Sequence, residues 1–425
     1  MRTFSIPSAE AIAHLHRIAA RSRSLSDGEA ARVAQRAVSE IRAGKDAALE
    51  RWRRRFDGVS GGLRASRIPG SVTPGFRRAL DVAIERISRF HALQKTPAAR
   101  LSVAGSLIEE RVVPLDSAGV YIPGGEAVYV STALMTILPA RLAGVKRIAV
   151  ATPPAAWDRS PELRHALSRL GIREVYRMGG AHAIAALALG TESIPSVAKV
   201  VGPGNRFVAA AKRAVSGIVG IDGIAGPTEV AIFADGSADP EHIAADLLAQ
   251  AEHAADAAAL LVTTSAALGR RVDAAVARQI AALPQSARAR AASSLRRYGA
   301  IGLARSRSAA VSFLEEFAPE HLGIQTSRSI QDARLFQRAG AVFAGAASSE
   351  VFGDYAAGSN HVLPTNGTAR FASSLSVRDF VRRFVVVSLS ARDARSLAPS
   401  VEVLAQAEGL PAHAAAARLR RTVRP

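Results

Sequence analysis

The feature that most restricts the possible folds is a long alternation of short apolar strands and helices that begins near Leu107. The segments RIAVATPP, REVYRMGG, AKVVGPGN, VAIFAD and ALLVTT have the apolar composition of buried strands. Helical segments of about 10–15 residues separate them, for example PELRHALSRLG, which ends at Gly171. Strands joined in this way form parallel sheets with crossover helices. We therefore expect an α/β fold with two Rossmann-like domains.

Helices are expected on both sides of this alternation. Apolar residues recur at helical spacing in Ala11–Ala20, Ala30–Ile41 and Ala79–Leu93, and Ser26–Asp27 would cap the second of these helices. The chain ends in the basic, alanine-rich segment AHAAAARLRR and a few further residues. The fold should thus include a helical N-terminal segment and a helical C-terminal tail.

At 425 residues the chain is too long for one hydrophobic core, so more than one domain is expected. Residues 1–120 would form the helical N-terminal segment and join the first Rossmann-like domain. Residues 121–230 would form the second Rossmann-like domain, and residues 231–375 would complete the first. Residues 376–425 would form the tail.

The chain contains no cysteine. This excludes a disulfide framework, a thiolate nucleophile and a thiolate metal site. Any metal ion must therefore be held by nitrogen and oxygen ligands.

Neither a signal peptide nor a membrane span is predicted. The segment MRTFSIPSAEAIAHLH has no apolar core of signal-peptide length, and no stretch reaches the roughly 18 apolar residues that a span requires. A cytoplasmic protein without membrane contacts is expected.

The formal charge of +19 has two interpretations. A basic chain can bind nucleic acid or another polyanion. Here the excess is almost entirely arginine, placed in ones and twos along predicted helices, with RWRRR at 51–55 and RLRR at 418–421 as the densest runs. We favour an ordinary charged surface and expect no nucleic-acid partner.

Two short polar segments are candidates for metal binding or proton transfer. Gln250 and His253 lie three residues apart at the end of a predicted helix and so share a face, although such a pair is usually just solvated. Glu320 and His321, in APEHL before a predicted strand, are two groups that titrate on either side of neutrality and suit stepwise proton removal and return. A helix cap followed by a surface histidine is the alternative for this pair.

Two loops complete the set of candidates. GDYAAGSNHVLPT exposes Asp354, a possible metal ligand, and His361, a possible substrate contact; a plain polar turn is the alternative. In VVGPGNRFVAAAKR two glycines permit close backbone approach, and Asn205 opens a helix whose N-terminus favours phosphate. Many such turns bind nothing, and the GxGxxG dinucleotide fingerprint is absent from the chain.

Taken together, seven segments resemble histidinol dehydrogenases in order and spacing, and the resemblance extends from about residue 30 to the C-terminus. They are AGVYIPGG (118–125), GGAHAIAALALGTESIP (179–195), VGPGN (201–205), IDGIAGPTEV (221–230), LLAQAEH (247–253), APEHL (318–322) and GDYAAGSNHVLPTNGTARF (353–371). This resemblance implies zinc-dependent, NAD-linked oxidation of the amino alcohol L-histidinol to L-histidine through bound histidinal, the last steps of histidine biosynthesis.

The resemblance also implies roles for individual residues. The ligands of one zinc ion per subunit would be Gln250, His253, Asp354 and His413. The acid–base pair would be Glu320 and His321. The substrate contacts would be the zinc ligands and His321 together with Thr228, His361 and Glu408, and the cofactor contacts would be Tyr121, His182 and Asn205. A homodimer with exchanged C-terminal tails is implied, in which Glu408 and His413 enter the neighbouring subunit's site.

Three positions differ from the pattern of this family. His182 stands where glutamine is usual, Thr228 where serine is usual, and Ala254–Ala255 where Gly-Pro often follows. His182 keeps the ability to form hydrogen bonds but changes shape, and the methyl group of Thr228 should narrow the pocket slightly.

Two other functions are compatible with parts of the sequence. A paralogous zinc- and NAD-dependent dehydrogenase could act on another polar alcohol, such as a sulfonated diol. Glu408 and His361 favour the amino alcohol, because an acidic group suits an ammonium and would repel a sulfonate. A basic protein that binds nucleic acid without catalysis would have no reason to keep the candidate zinc ligands and the acid–base pair.

Overall fold

The computed structural model describes residues 1–22, 28–59, 62–65, 70–125 and 128–423. The chain divides into two compact units: Met1–Gln94 with Asp116–Phe380, and Lys95–Leu115 with Val381–Pro425. The predicted helix cap at Ser26–Asp27 lies outside the described residues. The domain boundaries at residues 120, 230 and 375 stay a prediction.

The strands follow one another along the chain with helices between most of them. In chain order they are β1 (Arg2–Ile6), β2 (Arg100–Val103), β3 (Ser106–Pro114), β4 (Ser117–Tyr121), β5 (Arg147–Thr152), β6 (Glu174–Arg177), β7 (Lys199–Val201), β8 (Gly220–Ile221), β9 (Glu229–Ala234), β10 (Ala258–Thr263), β11 (Ala300–Ala304), β12 (His321–Gln325), β13 (Ala341–Ala344) and β14 (Val381–Ser388).

The helices of the first unit begin with α1 and end with α14, and the second unit contains α15 and α16. They are α1 (Ala9–Ala19), α2 (Glu29–Trp52), α3 (Pro74–Ala92), α4 (Val130–Ala143), α5 (Pro154–Arg159), α6 (Pro161–Arg169), α7 (Gly180–Leu189), α8 (Arg206–Val215), α9 (Pro240–Ala251), α10 (Ala266–Ala282), α11 (Gln285–Tyr298), α12 (Arg307–Phe317), α13 (Ser329–Ala333), α14 (Glu350–Tyr355), α15 (Ala391–Ala407) and α16 (Pro411–Leu419). A π-helical turn, Arg53–Asp57, directly follows α2.

The larger sheet of the first unit has six parallel strands in the order β1-β11-β10-β9-β12-β13. Its central strands EVAIFA and AALLVT are buried along their whole length, as expected for parallel strands covered on both faces. Helix α9 follows β9 and leads into the parallel β10, so its C-terminal end returns to the amino-terminal edge of the sheet.

The smaller sheet of the first unit has five parallel strands in the order β6-β5-β4-β7-β8. Helix α7, AHAIAALAL after its first glycine, is buried on almost all sides, which explains why its sequence is apolar all round. It packs with α2 and α8 into one hydrophobic cluster against this sheet.

The second unit has a three-stranded antiparallel sheet in the order β14-β3-β2, followed in the chain by α15 and α16. Its helices contact each other through one face, with Ala398, Ala405 and Ala414 buried.

The predicted fold class, α/β with two parallel sheets and crossover helices, is confirmed. Three strands, β1, β2 and β14, occur inside segments predicted to be helical. β1 buries only Phe4 and Ile6 and pairs with β11, about three hundred residues away in sequence, and β14 pairs with β3. β1 is too short for periodicity to distinguish it from helix, and the apolar run in β14, VRRFVVVS, fits a strand and a buried helical segment equally well. Among the described residues, no helix has both the length and the apolar character needed to cross a bilayer.

Candidate active site

Three of the sequence segments singled out above meet at the amino-terminal edge of the six-stranded sheet. Glu320 and His321 lie at the start of β12, and Thr228 directly precedes β9, the neighbouring strand. The C-terminal end of α9, which carries Gln250, returns to the same edge. The fold itself therefore brings together residues from positions 228 to 321.

The side chain of Glu320 is held by two donors. The Thr228 hydroxyl donates to its Oε2 at 2.5 Å, and the backbone N–H of Glu229 donates to the same oxygen at 3.0 Å. The Gln250 side-chain amide donates in turn to the Thr228 hydroxyl at 2.7 Å. The Thr228 hydroxyl thus links Gln250 of α9 to the Glu320 carboxylate. The methyl group of Thr228 does not disturb these hydrogen bonds.

The imidazole of His321 is buried between carboxylates. Its Nδ1 lies 3.2 Å from the Glu229 carbonyl oxygen and 3.7 Å from the carboxylate of Glu320, and its Nε2 lies 3.5 Å from Oδ1 of Asp354. Burial alone would lower the pKa of His321, but the charges of Glu320 and Asp354 outweigh it and raise this pKa to about 9. A basic nitrogen enclosed in this way is equipped to hold and return a proton.

Asp354, near the end of α14, lies among histidines. Burial would raise its pKa, but the hydrogen bond and charge of His321 and the proximity of His361 and His253 lower it, so this carboxylate is ionised. The Nδ1 of His361 lies 3.0 Å from the Asp354 carbonyl oxygen, and burial lowers the pKa of His361. His361 therefore presents a neutral ring whose Nε2 is turned away from that carbonyl.

The donor atoms of this cluster suit a zinc ion. The Nδ1 of His253 pairs with the Ala249 carbonyl oxygen at 2.8 Å, so Nε2 is the nitrogen left for a metal. The Gln250 amide nitrogen is engaged by Thr228, which leaves its carbonyl oxygen, and Asp354 supplies a carboxylate. An imidazole, a carboxylate and an amide oxygen are suitable zinc ligands in the absence of thiolates.

Within the described ranges, no three histidine, aspartate or glutamate side chains already form a metal-binding group. The expected set has only two such side chains in the first unit, His253 and Asp354, and adds the Gln250 amide and His413. His413 in α16 and Glu408 at the C-terminal cap of α15 belong to the second unit, where both are exposed.

Sequence reasoning missed several buried charged residues around this cluster. Arg21 forms an ion pair with Glu229 at 2.8 Å, and the other oxygen of Glu229 accepts the backbone N–H of Asn366 at 2.8 Å. Burial raises the pKa of Glu229 to about 7, although Arg21 opposes this shift. Glu229 lies inside the segment IDGIAGPTEV, whereas nothing in the sequence distinguishes Arg21 from the other arginines.

A second missed group is the acid pair of Glu350 and Asp246. Burial first, and then the charge of Asp246, raise the pKa of Glu350 to about 8. Burial also raises the pKa of Asp246, which accepts hydrogen bonds from Gln325 at 3.0 Å and Ser349 at 2.8 Å. Glu350 is four residues before Asp354 in α14, so its helical spacing could have identified it.

The three expected cofactor residues lie at the carboxyl ends of strands in the five-stranded sheet, where α/β folds bind nucleotides. Tyr121 ends β4, Asn205 follows β7, and His182 follows β6. Asn205 caps α8 by accepting the backbone N–H groups of Phe207 at 3.0 Å and Val208 at 3.2 Å. The sheet thus carries all three on one edge.

The loop before α8 is fixed against Tyr121. Gly202 has φ +115°, and a Cβ at this position would overlap the Tyr121 carbonyl oxygen. A buried ion pair of Lys212 and Asp222 holds the loop from the other side, because Asp222 accepts the Gly202 N–H at 2.7 Å and Lys212 donates to its carbonyl at 3.1 Å. The GPGN turn is therefore preorganised.

One contact connects the region of the acid–base cluster with the five-stranded sheet. Asn360, next to His361, donates to the Met135 carbonyl oxygen of α4 at 2.7 Å in a buried hydrogen bond. Helix α4 joins β4 to β5 of the smaller sheet. The loop that carries His361 is therefore anchored to the element that follows Tyr121.

A family model, curated relatives and a solved structure all identify the same protein family. The family model described as histidinol dehydrogenase matches residues 20–421. A histidinol dehydrogenase of Rhizobium meliloti (strain 1021) is 44% identical over 393 residues, which is 90% of each chain, and one of Listeria innocua is 41% identical over 415 residues and 96% of each chain. The crystal structure of histidinol dehydrogenase from Elizabethkingia anophelis superposes with a TM-score of 0.89 at 32% identity, covering 99% of this chain and 98% of that one.

Proposed function

The chain belongs to the histidinol dehydrogenase family of oxidoreductases, and from that premise we propose that it oxidises L-histidinol to L-histidine in two NAD-linked steps through bound histidinal. The observation that carries the proposal is the cluster at the amino-terminal edge of the six-stranded sheet. There a proton-transfer pair, Glu320 and His321, lies directly beside Asp354 and the Gln250–Thr228 hydrogen bond.

The metal site of the proposal consists of Gln250, His253 and Asp354, completed by His413 of a second copy of the chain. The free donor atoms identified above support this assignment. A zinc ion bound there would fix the imidazole and amino nitrogens of the substrate and so orient its carbinol carbon.

Each member of the acid–base pair acts in one of the two oxidations. In the first, the Asp354 charge, which helps to raise the pKa of His321, would be offset by a zinc ion bound to Asp354. The neutral imidazole then takes the hydroxyl proton at Nε2 while the carbinol hydride leaves for NAD, which gives the aldehyde. In the second, Glu320 takes a proton from water as its oxygen adds to the aldehyde carbon, and the resulting hydrate loses its hydride to a second NAD. The hydrogen bonds from Thr228 and the Glu229 N–H orient the Glu320 carboxylate for that step.

Tyr121, His182 and Asn205 bind the NAD cofactor in this proposal. Their common position at the carboxyl edge of a parallel sheet supports the assignment. The buried Asn360–Met135 hydrogen bond supports it further, because it connects the element after Tyr121 with the loop that carries His361. NAD supplies the chemistry of hydride acceptance, and the protein supplies orientation.

The polar groups of the substrate, among them its ammonium, require complementary groups in the protein. His361 offers a neutral nitrogen, and Glu408 of a second copy offers a carboxylate for the substrate's ammonium. The same carboxylate would repel a sulfonate, which favours an amino alcohol over a sulfonated diol.

The proposal includes a homodimer with exchanged tails, located in the cytoplasm. The second unit exposes large apolar side chains that a monomer would leave in water. They include Val385 and Val387 of β14, Val403 and Leu404 of α15, and Leu419 of α16. Exposed apolar groups of this number are typical of a protein interface, and a second copy is the partner that the exchanged tail requires.

Purified zinc-loaded protein tests the proposal directly. It should form two NADH and one histidine for each histidinol consumed, and chelation of the metal should abolish this turnover. A sulfonated diol assayed beside histidinol should give no NADH. Turnover of the diol without turnover of histidinol would transfer the function to the paralogous dehydrogenase, and salt-dependent DNA binding without bound zinc would reject an enzyme.

A further inference from the structure

A second buried pair of side chains lies away from the acid–base cluster, at the N-terminus of α7. The Nε2 of His182 is 2.9 Å from Oδ2 of Asp57, and the two side chains are only 2% and 7% exposed. A carboxylate can only accept hydrogen bonds, so the shared hydrogen belongs to Nε2. Nδ1 is then the one ring nitrogen left for another partner.

Asp57 also holds the backbone at the start of α7. Its Oδ2 accepts the N–H of Gly179, the N-cap residue, at 3.2 Å, and the next N–H, that of Gly180, donates to the Tyr121 hydroxyl at 3.1 Å. Asp57 itself ends the π-helical turn Arg53–Asp57, a type of turn that is rare and is concentrated at functional sites. The Asp57 carboxylate thus connects this turn with the segment that carries His182, and the Gly180 N–H connects that segment with Tyr121.

Two aromatic rings pack beside the His182 imidazole and restrict its rotation. Trp52 and Phe56 stack on each other with centroids 5.0 Å apart, and their centroids lie 6.0 Å and 6.4 Å from that of His182. Rings packed at these distances resist rotation about the side-chain bonds. The orientation of His182 is therefore set by Asp57 at one edge and by the two aromatic rings beside it.

We propose that Asp57 is a positioning residue of the cofactor site and that it acts by holding His182 so that Nδ1 binds the nucleotide. This inference rests on the proposed NAD-linked function. With Nε2 directed at Asp57, Nδ1 is the ring nitrogen that can form a hydrogen bond with the dinucleotide.

A double-mutant cycle of Asp57→Asn and His182→Gln tests this coupling. In the His182 protein, Asp57→Asn should raise the KM for NAD about tenfold, the effect of losing a hydrogen bond to a charged group, while kcat at saturating NAD stays within about twofold. In the His182→Gln background, Asp57→Asn should raise the KM for NAD by no more than about threefold, because the imidazole that Asp57 positions is absent. The KM for histidinol should stay constant throughout.

Trp52 offers a measurement that needs no turnover. The chain has two tryptophans, so a Trp157→Phe background leaves Trp52, beside His182, as the sole tryptophan, which can be excited selectively over the tyrosines. NAD should change its emission, and Asp57→Asn should shift the titration midpoint about tenfold while the thermal melt shows a folded protein. Asp81→Asn, an exposed carboxylate paired with Arg169 on the surface, is the matched control and should leave the midpoint unchanged.

The outcomes separate the two hypotheses. In one case the wild-type protein turns over histidinol while Asp57→Asn changes the KM for NAD equally in both backgrounds, or changes only the melting temperature. Either result rejects the positioning role and leaves the proposed function intact. A wild-type protein that neither reduces NAD with histidinol nor shows an NAD-dependent change of Trp52 emission rejects the function, and the positioning role with it.

Discussion

At the scale of residues, two neighbours in sequence are held in different environments. Glu320 accepts hydrogen bonds from Thr228 and the Glu229 N–H, whereas His321 lies between carboxylates with its Nε2 toward Asp354. In the proposed mechanism they act in different steps, Glu320 in water activation and His321 in removal of the hydroxyl proton. Substituting each of them separately should therefore impair different oxidations.

Glu320→Gln should form one NADH per site rapidly and then stall, whereas His321→Asn should slow the first NADH itself. Each rate should fall by about 10²–10⁴, the usual contribution of a general base. Rapid mixing with histidinol and NAD distinguishes the two patterns, and His16→Asn, an exposed histidine of α1, serves as the control. Equal loss of the first NADH in both variants would contradict the division of roles.

Glu350 gives a prediction about stability and pH. Its pKa is raised from the ordinary 4.5 to about 8 in the folded chain, so the folded state binds the proton more tightly than the unfolded state. Its stabilising contribution is complete below about pH 4.5 and is lost as the pH rises to about 8, at up to about 1.4 kcal/mol per pH unit. Glu350→Gln should remove this contribution to the dependence of the free energy of unfolding on pH.

Urea unfolding of the metal-free protein between pH 5 and 8 measures that dependence. The wild-type free energy of unfolding should fall more steeply with pH than that of Glu350→Gln. Glu316→Gln, at an exposed position, should behave as wild type. Parallel curves for wild type and Glu350→Gln would show that the Glu350 carboxyl is not protonated in the folded protein.

The sequence predicted which residues would lie together better than it predicted their surroundings. Glu320, His321 and Asp354 stand in recognisable motifs and meet in the structure. Arg21 and Asp57 could not be found from sequence, because their contacts are with partners more than a hundred residues away and no periodicity marks them.

At the scale of elements, the loop before α8 depends on a glycine that touches Tyr121. Gly202→Ala should raise the KM for NAD and destabilise the protein, because its φ of +115° is unfavourable for alanine and the new Cβ would overlap the Tyr121 carbonyl. Gly217→Ala is the matched control, since Gly217 also has a positive φ, +92°, but nothing within 4 Å of its Cβ position.

Both alanine variants should lose about 1 kcal/mol from the backbone conformation alone. Only Gly202→Ala should add a steric cost and an increase in the KM for NAD of about tenfold or more. Thermal unfolding and steady-state kinetics of the pair measure these effects. An equal KM for NAD in the two variants would exclude the loop from the cofactor site.

The buried strands were predictable as elements, and the edge strands were not. EVAIFA and AALLVT are continuous apolar runs because both faces of a central parallel strand are covered. β1 and β14 have mixed sequences, and their pairing depends on β11 and β3, which no local pattern specifies.

At the scale of the whole molecule, the expected ligand set cannot be completed by the first unit alone. His253 and Asp354 belong to that unit, whereas His413 lies exposed in α16 of the second unit, which also presents Val403 and Leu404 to solvent. In the proposed dimer each site takes His413 from a second copy. The family resemblance placed His413 in the set and implied that the neighbouring subunit supplies it, and both stay predictions.

Subunit complementation tests this central claim most directly. His253→Asn and His413→Asn proteins should each be inactive alone, and exchanging their subunits should restore about one quarter of the wild-type activity, because half of the dimers are mixed and each mixed dimer has one intact site. A mixture of His253→Asn and His321→Asn, which damages the first unit of both copies, should stay inactive. Failure of the first mixture to regain activity despite demonstrated subunit exchange would contradict a site shared between two copies.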